Sequence, residues 1–191
     1  MTEFRVAILL SGTGSNAENL IKKLQNRELN SKKLSFVVAI SNKKDAEGLK
    51  KCRALGVESI VLESQSRTRE EFDRALVDKL LGYKTDLVLL AGFMRILTPL
   101  FVDSFRALNI HPSLLPLFKG GNAMMESYES MMKVAGVTVH EVSKELDSGK
   151  IVAQDVLYKK ENESFEEFKA RMHSLEHSLY PQAVLEYIHS L

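Results

Sequence analysis

Three observations in the sequence predict a doubly wound, mostly parallel α/β sheet with helices on both faces. Apolar runs alternate with helical periodicities through about the first 110 residues, residues 86–91 form an unbroken apolar run, and a glycine turn directly follows the first run. Residues 5–10 read as the first strand, and Leu20, Ile21 and Leu24 beyond the turn fall at helical spacing. Residues 34–40 are an apolar, β-branched second strand; residues 45–55 read as a helix ended by Gly56. Residues 57–62 make a third strand, and residues 68–81, with Phe72, Leu76 and Leu80 on one face, a helix stopped at Gly82. The run 86–91 is the central strand, and 106–110 the next. After a loop at 117–121 come a short helix at 122–132 and strands at 137–142 and 151–157, an antiparallel pair joined through Leu146-Asp147-Ser148-Gly149. Residues 164–189 form a long C-terminal helix, with Ser164 as its cap and Glu167 as reciprocal partner in a capping box.

Composition narrows the function classes. A length of 191 residues suits one well-buried core, so a single domain over residues 1–191 is expected, with 45% hydrophobic and 27% charged residues in the globular range. A net charge of +1 supplies no global field for nucleic acid, so any anionic ligand needs a local site. Cys52 is the only cysteine, which rules out an internal disulfide, and its helical surroundings favour packing over catalysis. The N-terminus lacks a signal-peptide pattern and no apolar run is long enough to span a bilayer, so a cytoplasmic protein without a membrane partner is expected.

Chemistry gathers at the carboxyl ends of the strands, where open α/β sheets bind ligands. Asn109 and His111 lie two apart on a strand and therefore share a face, and Pro112 ends regular pairing. A carboxamide donor beside a titratable ring suits a developing oxyanion with proton transfer next to it; otherwise the two residues merely bond loop backbone. Asp147, in a turn sequence of its own, would favour the charged form of His111 if the two meet. Gly12-Thr13-Gly14-Ser15-Asn16 opens a helix after the first strand, a Rossmann-like arrangement whose amides suit a phosphate. The second strand ends in Ser41-Asn42-Lys43, without an acidic residue for a ribose, so a whole dinucleotide is not expected; a tight turn capped by Ser15 or Asn16 is the plain alternative. Gly92 permits a sharp departure after the central strand, and Met94, Ile96 and Leu97 could line a slot for a flat heteroaromatic ring or simply pack on the core. His173-Ser174-Leu175-Glu176-His177 matches an inverted zinc motif, but no third ligand is evident and no metal is expected.

Taken together, Ser11-Gly12-x-Gly14-Ser15-Asn16, Ala91 to Leu97, Asn109-x-His111-Pro112-Ser113-Leu114-Leu115-Pro116 and Leu146-Asp147-x-Gly149 closely resemble the phosphoribosylglycinamide formyltransferases, nearly end to end. The resemblance implies transfer of a formyl group from 10-formyltetrahydrofolate to the amine of glycinamide ribonucleotide in purine (IMP) synthesis, by a monomer or homodimer without metal. It implies a substrate-binding half over about residues 1–100 and a catalytic, folate-binding half over about 101–191. It further implies Asn109, His111 and Asp147 as catalytic residues, and Gly14, Ser15, Asn16 and Glu176 as contacts to the ribonucleotide. Arg69, Met94, Arg95, Ile96, Leu97 and Asn109 are implied as contacts to the folate. The segment Leu117 to Met125 departs from the pattern, lacking a proline before the first glycine and histidines beyond it, and Met131-Met132 replaces a glycine and acidic residues.

Two formyl-handling relatives and one unrelated class compete. Methionyl-tRNA formyltransferase shares the Ser-Leu-Leu-Pro signature but carries an added tRNA-binding barrel, and formyltetrahydrofolate hydrolase carries an extra regulatory domain; neither addition is expected here. A non-catalytic nucleotide-binding module would use the glycine turn alone and leave Asn109, His111 and Asp147 scattered.

Overall fold

A computed structural model describes residues 2–191. The elements run β1 (Thr2–Leu10), α1 (Ser15–Leu24), β2 (Glu28–Leu29), β3 (Lys32–Ser41), α2 (Glu47–Ala54), β4 (Ser59–Val61), α3 (Arg69–Gly82) and β5 (Leu87–Leu90). They continue with α4 (Pro99–Ser104), β6 (Ala107–His111), α5 (Ala123–Glu129), β7 (Val134–Glu141), β8 (Ile151–Tyr158) and α6 (Phe165–His189). All eight strands join one sheet, ordered β2-β3-β1-β5-β6-β7-β8, with β4 also on β3. The pairs among β3, β1, β5 and β6, and β3 with β4, are parallel; β2–β3, β6–β7 and β7–β8 are antiparallel.

Alternation along the strands divides the core into two layers. Val6, Ile8 and Leu10 of β1 and Leu87 and Leu89 of β5 face α1, α2 and α6, whereas Ala7, Leu9, Val88 and Leu90 face α3 and α4. Both faces are covered, which is why these strands read as continuous apolar runs. Chain order reverses at β1: the chain passes from β1 to β3 on one side and returns to β5 on the other. The reversal opens a crevice above the carboxyl ends of β1 and β5. Across it, the Ser11 N–H donates to the Gly92 carbonyl at 3.0 Å and ties the two outgoing loops together.

Helix ends show where local chemistry decides. At α2, Gly56 takes a left-handed φ of 80°, with Gly56 N–H bonded to Arg53 O and Val57 N–H to Cys52 O, the paired bonds of a Schellman ending. α3 ends at Gly82, its last helical residue, but Gly82 is not the left-handed residue that closes it: the same pair of bonds is made by Lys84, at φ 52°, and Thr85 to Leu81 and Leu80. The composition around Gly82 points to glycine, but the geometry places the left-handed residue two positions later. Reciprocal capping boxes start α3 (Thr68 with Glu71) and α6 (Ser164 with Glu167). Two elements were not anticipated. β2 spans two residues, too few for any periodicity, and α4 is a six-residue helix with proline in its first turn that buries only Phe101.

A left-handed Lys84 carries a backbone strain of about 1–2 kcal/mol, partly offset by the extra unfolded-state freedom that glycine brings. Lys84→Gly is therefore expected to stabilise the fold by up to about 1 kcal/mol in urea unfolding, with no effect on ligand binding. A destabilised variant would show that Lys84 is held by more than the helix ending.

Candidate active site

Two adjoining hollows open beyond the carboxyl ends of β5 and β6, sharing Phe93, Arg95, Ile96, Asn109, Leu146 and Asp147 in their walls. One adds His140 and the segment 142–145; the other adds Met94, His111, Pro112, Gly120 and Gly121. Asn109 and His111 come from the last residues of β6, on one face, as their spacing requires. Asp147 arrives from the turn after β7, in a left-handed conformation at φ 49°. Gly149 completes that turn where a Cβ would lie 1.7 Å from the Glu141 carbonyl oxygen, so no side chain fits there.

The turn delivers the carboxylate beside the ring. Asp147 Oδ2 is 3.5 Å from His111 Nδ1 and accepts the Gly120 N–H at 2.8 Å; its side chain is 7% exposed. His111 Nε2 lies 2.8 Å from the Phe118 carbonyl oxygen, which can only accept, so Nε2 carries a proton. The loop that supplies this oxygen is anchored below: Thr138 on β7 donates to Ser113 O at 2.7 Å and accepts the Leu115 N–H at 3.0 Å.

The segment after β5 splits in two. Phe93 and Leu97 are buried, whereas Met94 is 72% exposed and Ile96 42% exposed. Arg95 stacks its guanidinium 4.3 Å from the centre of the Phe72 ring and donates to Thr68 O at 3.3 Å, toward the start of α3. The segment is held by the Ser11 hydroxyl, which accepts the Met94 N–H at 2.8 Å and donates to Asn42 Oδ1 at 2.6 Å, and by buried Asp73, which accepts the Thr98 N–H. Arg69 is exposed at the first position of α3 and lines neither hollow.

The glycine turn lies outside the hollows. Gly14 is the N-cap of α1 at φ 68°, and a Cβ on it would lie 2.4 Å from the Cα of Gly48, so α1 and α2 approach by backbone contact. Among the described residues no side chain caps α1, so the alternative of a turn capped by Ser15 or Asn16 is not what forms. Asn16 Nδ2 instead donates to Glu176 Oε2 at 3.1 Å, and Glu176, 4% exposed, also takes His173 Nδ1 at 2.8 Å. That hydrogen bond raises the pKa of His173 above the ordinary histidine value. The glutamate of the inverted zinc motif is thereby engaged with α1 and with His173, and among the described residues no group of three or more potential metal ligands is gathered.

One residue at the centre was missed in the sequence. His140 on β7 pairs with Asn109 in the β6–β7 register, 2% exposed, with Nε2 3.2 Å from Asn109 Nδ2 and 3.7 Å from Asp147 Oδ1. Its signal was present: Thr138 and His140 are two polar residues at strand spacing in an apolar run. Burial pushes the pKa of His140 below its ordinary 6.5, and nearby His111 adds to the lowering, against the backbone bond to Glu141 and the pull of Asp147. An unfolded chain takes up that proton near pH 6.5 while the fold resists it. This contribution to stability is fully present above about pH 6.5 and is lost as pH falls through the lower folded value. His173, shifted the other way, contributes stability below its unfolded pKa that is lost as pH rises through its folded value. Subtracting the urea-unfolding curves of His140→Gln from those of the wild type, from about pH 7 to 5, should isolate a wild-type loss on acidification that the variant lacks. Parallel curves would mean that His140 takes up its proton alike in both states.

Comparisons with known proteins place the whole chain. A model of the formyl transferase family matches residues 4–184. Phosphoribosylglycinamide formyltransferase of Escherichia coli (strain K12) is 36% identical over 182 residues, 94% of this chain and 84% of that protein. The crystal structure of phosphoribosylglycinamide formyltransferase from Campylobacter jejuni subsp. jejuni NCTC 11168 superposes with a TM-score of 0.93 at 48% identity over 98% of both chains. Glycinamide ribonucleotide transformylase 1 from Symbiobacterium toebii gives a TM-score of 0.90 at 36% identity, covering 95% of this chain and 86% of that one. The chain also matches trifunctional purine biosynthetic proteins adenosine-3, at 41% identity for Homo sapiens, but spans only 18% of that protein and 13% of the one from Chironomus tentans. With likeness in sequence and shape over nearly its whole length, the chain belongs to the formyl transferase family, among its phosphoribosylglycinamide formyltransferases.

Proposed function

We propose that the protein transfers the formyl group of 10-formyltetrahydrofolate to the amine of glycinamide ribonucleotide, a reading supported by its likeness to proteins named phosphoribosylglycinamide formyltransferase. The observation that carries the reading is the meeting of Asn109, His111 and Asp147 at one wall, with the carboxylate 3.5 Å from the ring. The ribonucleotide phosphate sits on the uncapped start of α1 at Gly14, Ser15 and Asn16, where unpaired amides and the positive end of the helix favour an anion. Glu176, fixed by Asn16 and His173, contacts the same substrate. The pterin enters along Met94, Arg95, Ile96 and Leu97, which line the two hollows with Asn109 at their edge, and Arg69, exposed at the start of α3 outside both hollows, meets the outer part of the folate. Residues 1–100 supply the phosphate contacts and the loop after β5, and residues 101–191 supply the catalytic groups and Glu176.

Attack of the free amine on the formyl carbon makes a tetrahedral oxyanion, and collapse breaks the bond to the folate nitrogen. The amine gives up one proton and the folate nitrogen gains one, by way of water. Asn109 and His111 donate to the oxyanion. His111 is oriented as a donor because Nε2 already carries a proton toward Phe118 O while Nδ1 faces the Asp147 carboxylate. The Nε2–H that now meets Phe118 O turns to the substrate oxygen when that carbonyl is displaced. No step requires a metal.

Loss of formyl donor is followed with 10-formyl-folate alone and with glycinamide ribonucleotide added. Amine-dependent loss supports the transferase, and loss without the amine would make the protein a hydrolase. Removing one oxyanion donor costs about 10²–10³-fold in kcat, so His111→Ala should fall in that range, and Asp147→Asn should fall by about 10-fold or more, each with KM little changed. Near-normal turnover in either variant removes that residue from the mechanism.

A further inference from the structure

We infer that His140 is a positioning residue for the transfer: its Nε2 lone pair holds the Asn109 carboxamide with its nitrogen, not its oxygen, facing the reacting carbon. The inference rests on the proposed role of Asn109 as oxyanion donor.

A carboxamide is nearly symmetric in shape but opposite in polarity at its two ends. If Asn109 turned over, Oδ1 would face the developing negative charge and repel it. The neighbours of His140 settle which end points where. Its Nδ1 lies 2.9 Å from the Glu141 carbonyl oxygen, an acceptor only, so Nδ1 carries the proton of the neutral ring. The buried ring then offers a lone pair at Nε2, which only the Nδ2 end of Asn109 can meet at 3.2 Å. One hydrogen of that nitrogen is used; the other remains for the substrate oxygen.

The charged groups around His140 favour this state. Asp147 is 3.7 Å from Nε2 and would draw a second proton onto the ring, but the same carboxylate lies closer to His111 at 3.5 Å. His111, across Asp147, opposes a second cation, and Glu141 acts on the ring through its carbonyl. A protonated His140 would donate to Asp147, lose its hold on Asn109 and draw the carboxylate from His111.

Steady-state kinetics of the full chain with 10-formyl-folate and glycinamide ribonucleotide test the inference. A loosened donor costs about 10- to 100-fold, so His140→Leu should lower kcat by that factor and leave both KM values within about 3-fold. His140→Gln sets an acceptor oxygen near the place of Nε2 and should recover most of the loss. In an Asn109→Ala background, His140→Leu should cost less than about 2-fold more, because nothing is left to orient. Equal losses in the Gln and Leu variants, or a full further loss in the Asn109→Ala background, would overturn the inference. Undiminished kcat in Asn109→Ala alone would instead overturn the role of Asn109 on which it rests.

Discussion

The site is organised around one buried carboxylate. Asp147, with its side chain 7% exposed, has the Gly120 N–H as its hydrogen-bond donor and an imidazole on each side, at 3.5 and 3.7 Å. A buried carboxylate left without polar partners costs several kcal/mol, so it demands donors. Two rings compete, and the second hydrogen bond of each decides between them. His111 is a donor at the far nitrogen, to Phe118 O, with Nδ1 toward the carboxylate; His140 uses its proton on Glu141 O and receives Asn109. The arrangement separates two similar residues into a donor at Nε2 of His111 and an acceptor at Nε2 of His140.

That separation depends on register. β6 and β7 run antiparallel with Asn109 opposite His140 and His111 opposite Thr138, so a slip of one residue would turn His140 to the other face of the sheet. Thr138 fixes the loop after β6 through Ser113 and Leu115, while Gln154 on β8 donates to Thr138 Oγ1 and to Leu115 O at 2.9 Å each. The antiparallel extension of the sheet therefore does more than cover its edge. It sets the height of the His111 loop and, through Gly149 packed on Glu141, the position of Asp147.

Local patterns made the architecture legible. Val6 to Leu10 and Leu87 to Leu90 are apolar at every position because both faces of the sheet are covered, and Phe72, Leu76 and Leu80 are fully buried as their spacing implied. Asn109 and His111 could be paired because strand alternation is a local rule. His140 could not be assigned to Asn109, because register between strands about 30 residues apart follows from the tertiary fold and not from either segment. Lys84 was hidden for the opposite reason: Gly82 offered a left-handed ending, but the helix takes Gly82 as its last residue and turns two positions later. The bond from Ser11 to Asn42 joins the ends of β1 and β3 through two ordinary polar residues that neither strand pattern singles out.

Ser11 also explains how two proposed binding regions share one frame although the glycine turn lies outside the hollows. Its N–H is bonded to Gly92 O, its hydroxyl accepts the Met94 N–H, and its own proton goes to Asn42, while the Gly12 carbonyl next to it accepts the Gly48 N–H at 3.0 Å. A single residue at the end of β1 is thus bonded to the loop after β5 and to the residue after β3, and the next residue is bonded to α2. Ser11 and Asn42 are both buried, so loss of the hydroxyl would leave Asn42 Oδ1 and the Met94 N–H without this partner. The crevice that strand order creates is open toward solvent but rigid at its base, which suits a reaction whose two substrates arrive from different sides and must meet within bonding distance.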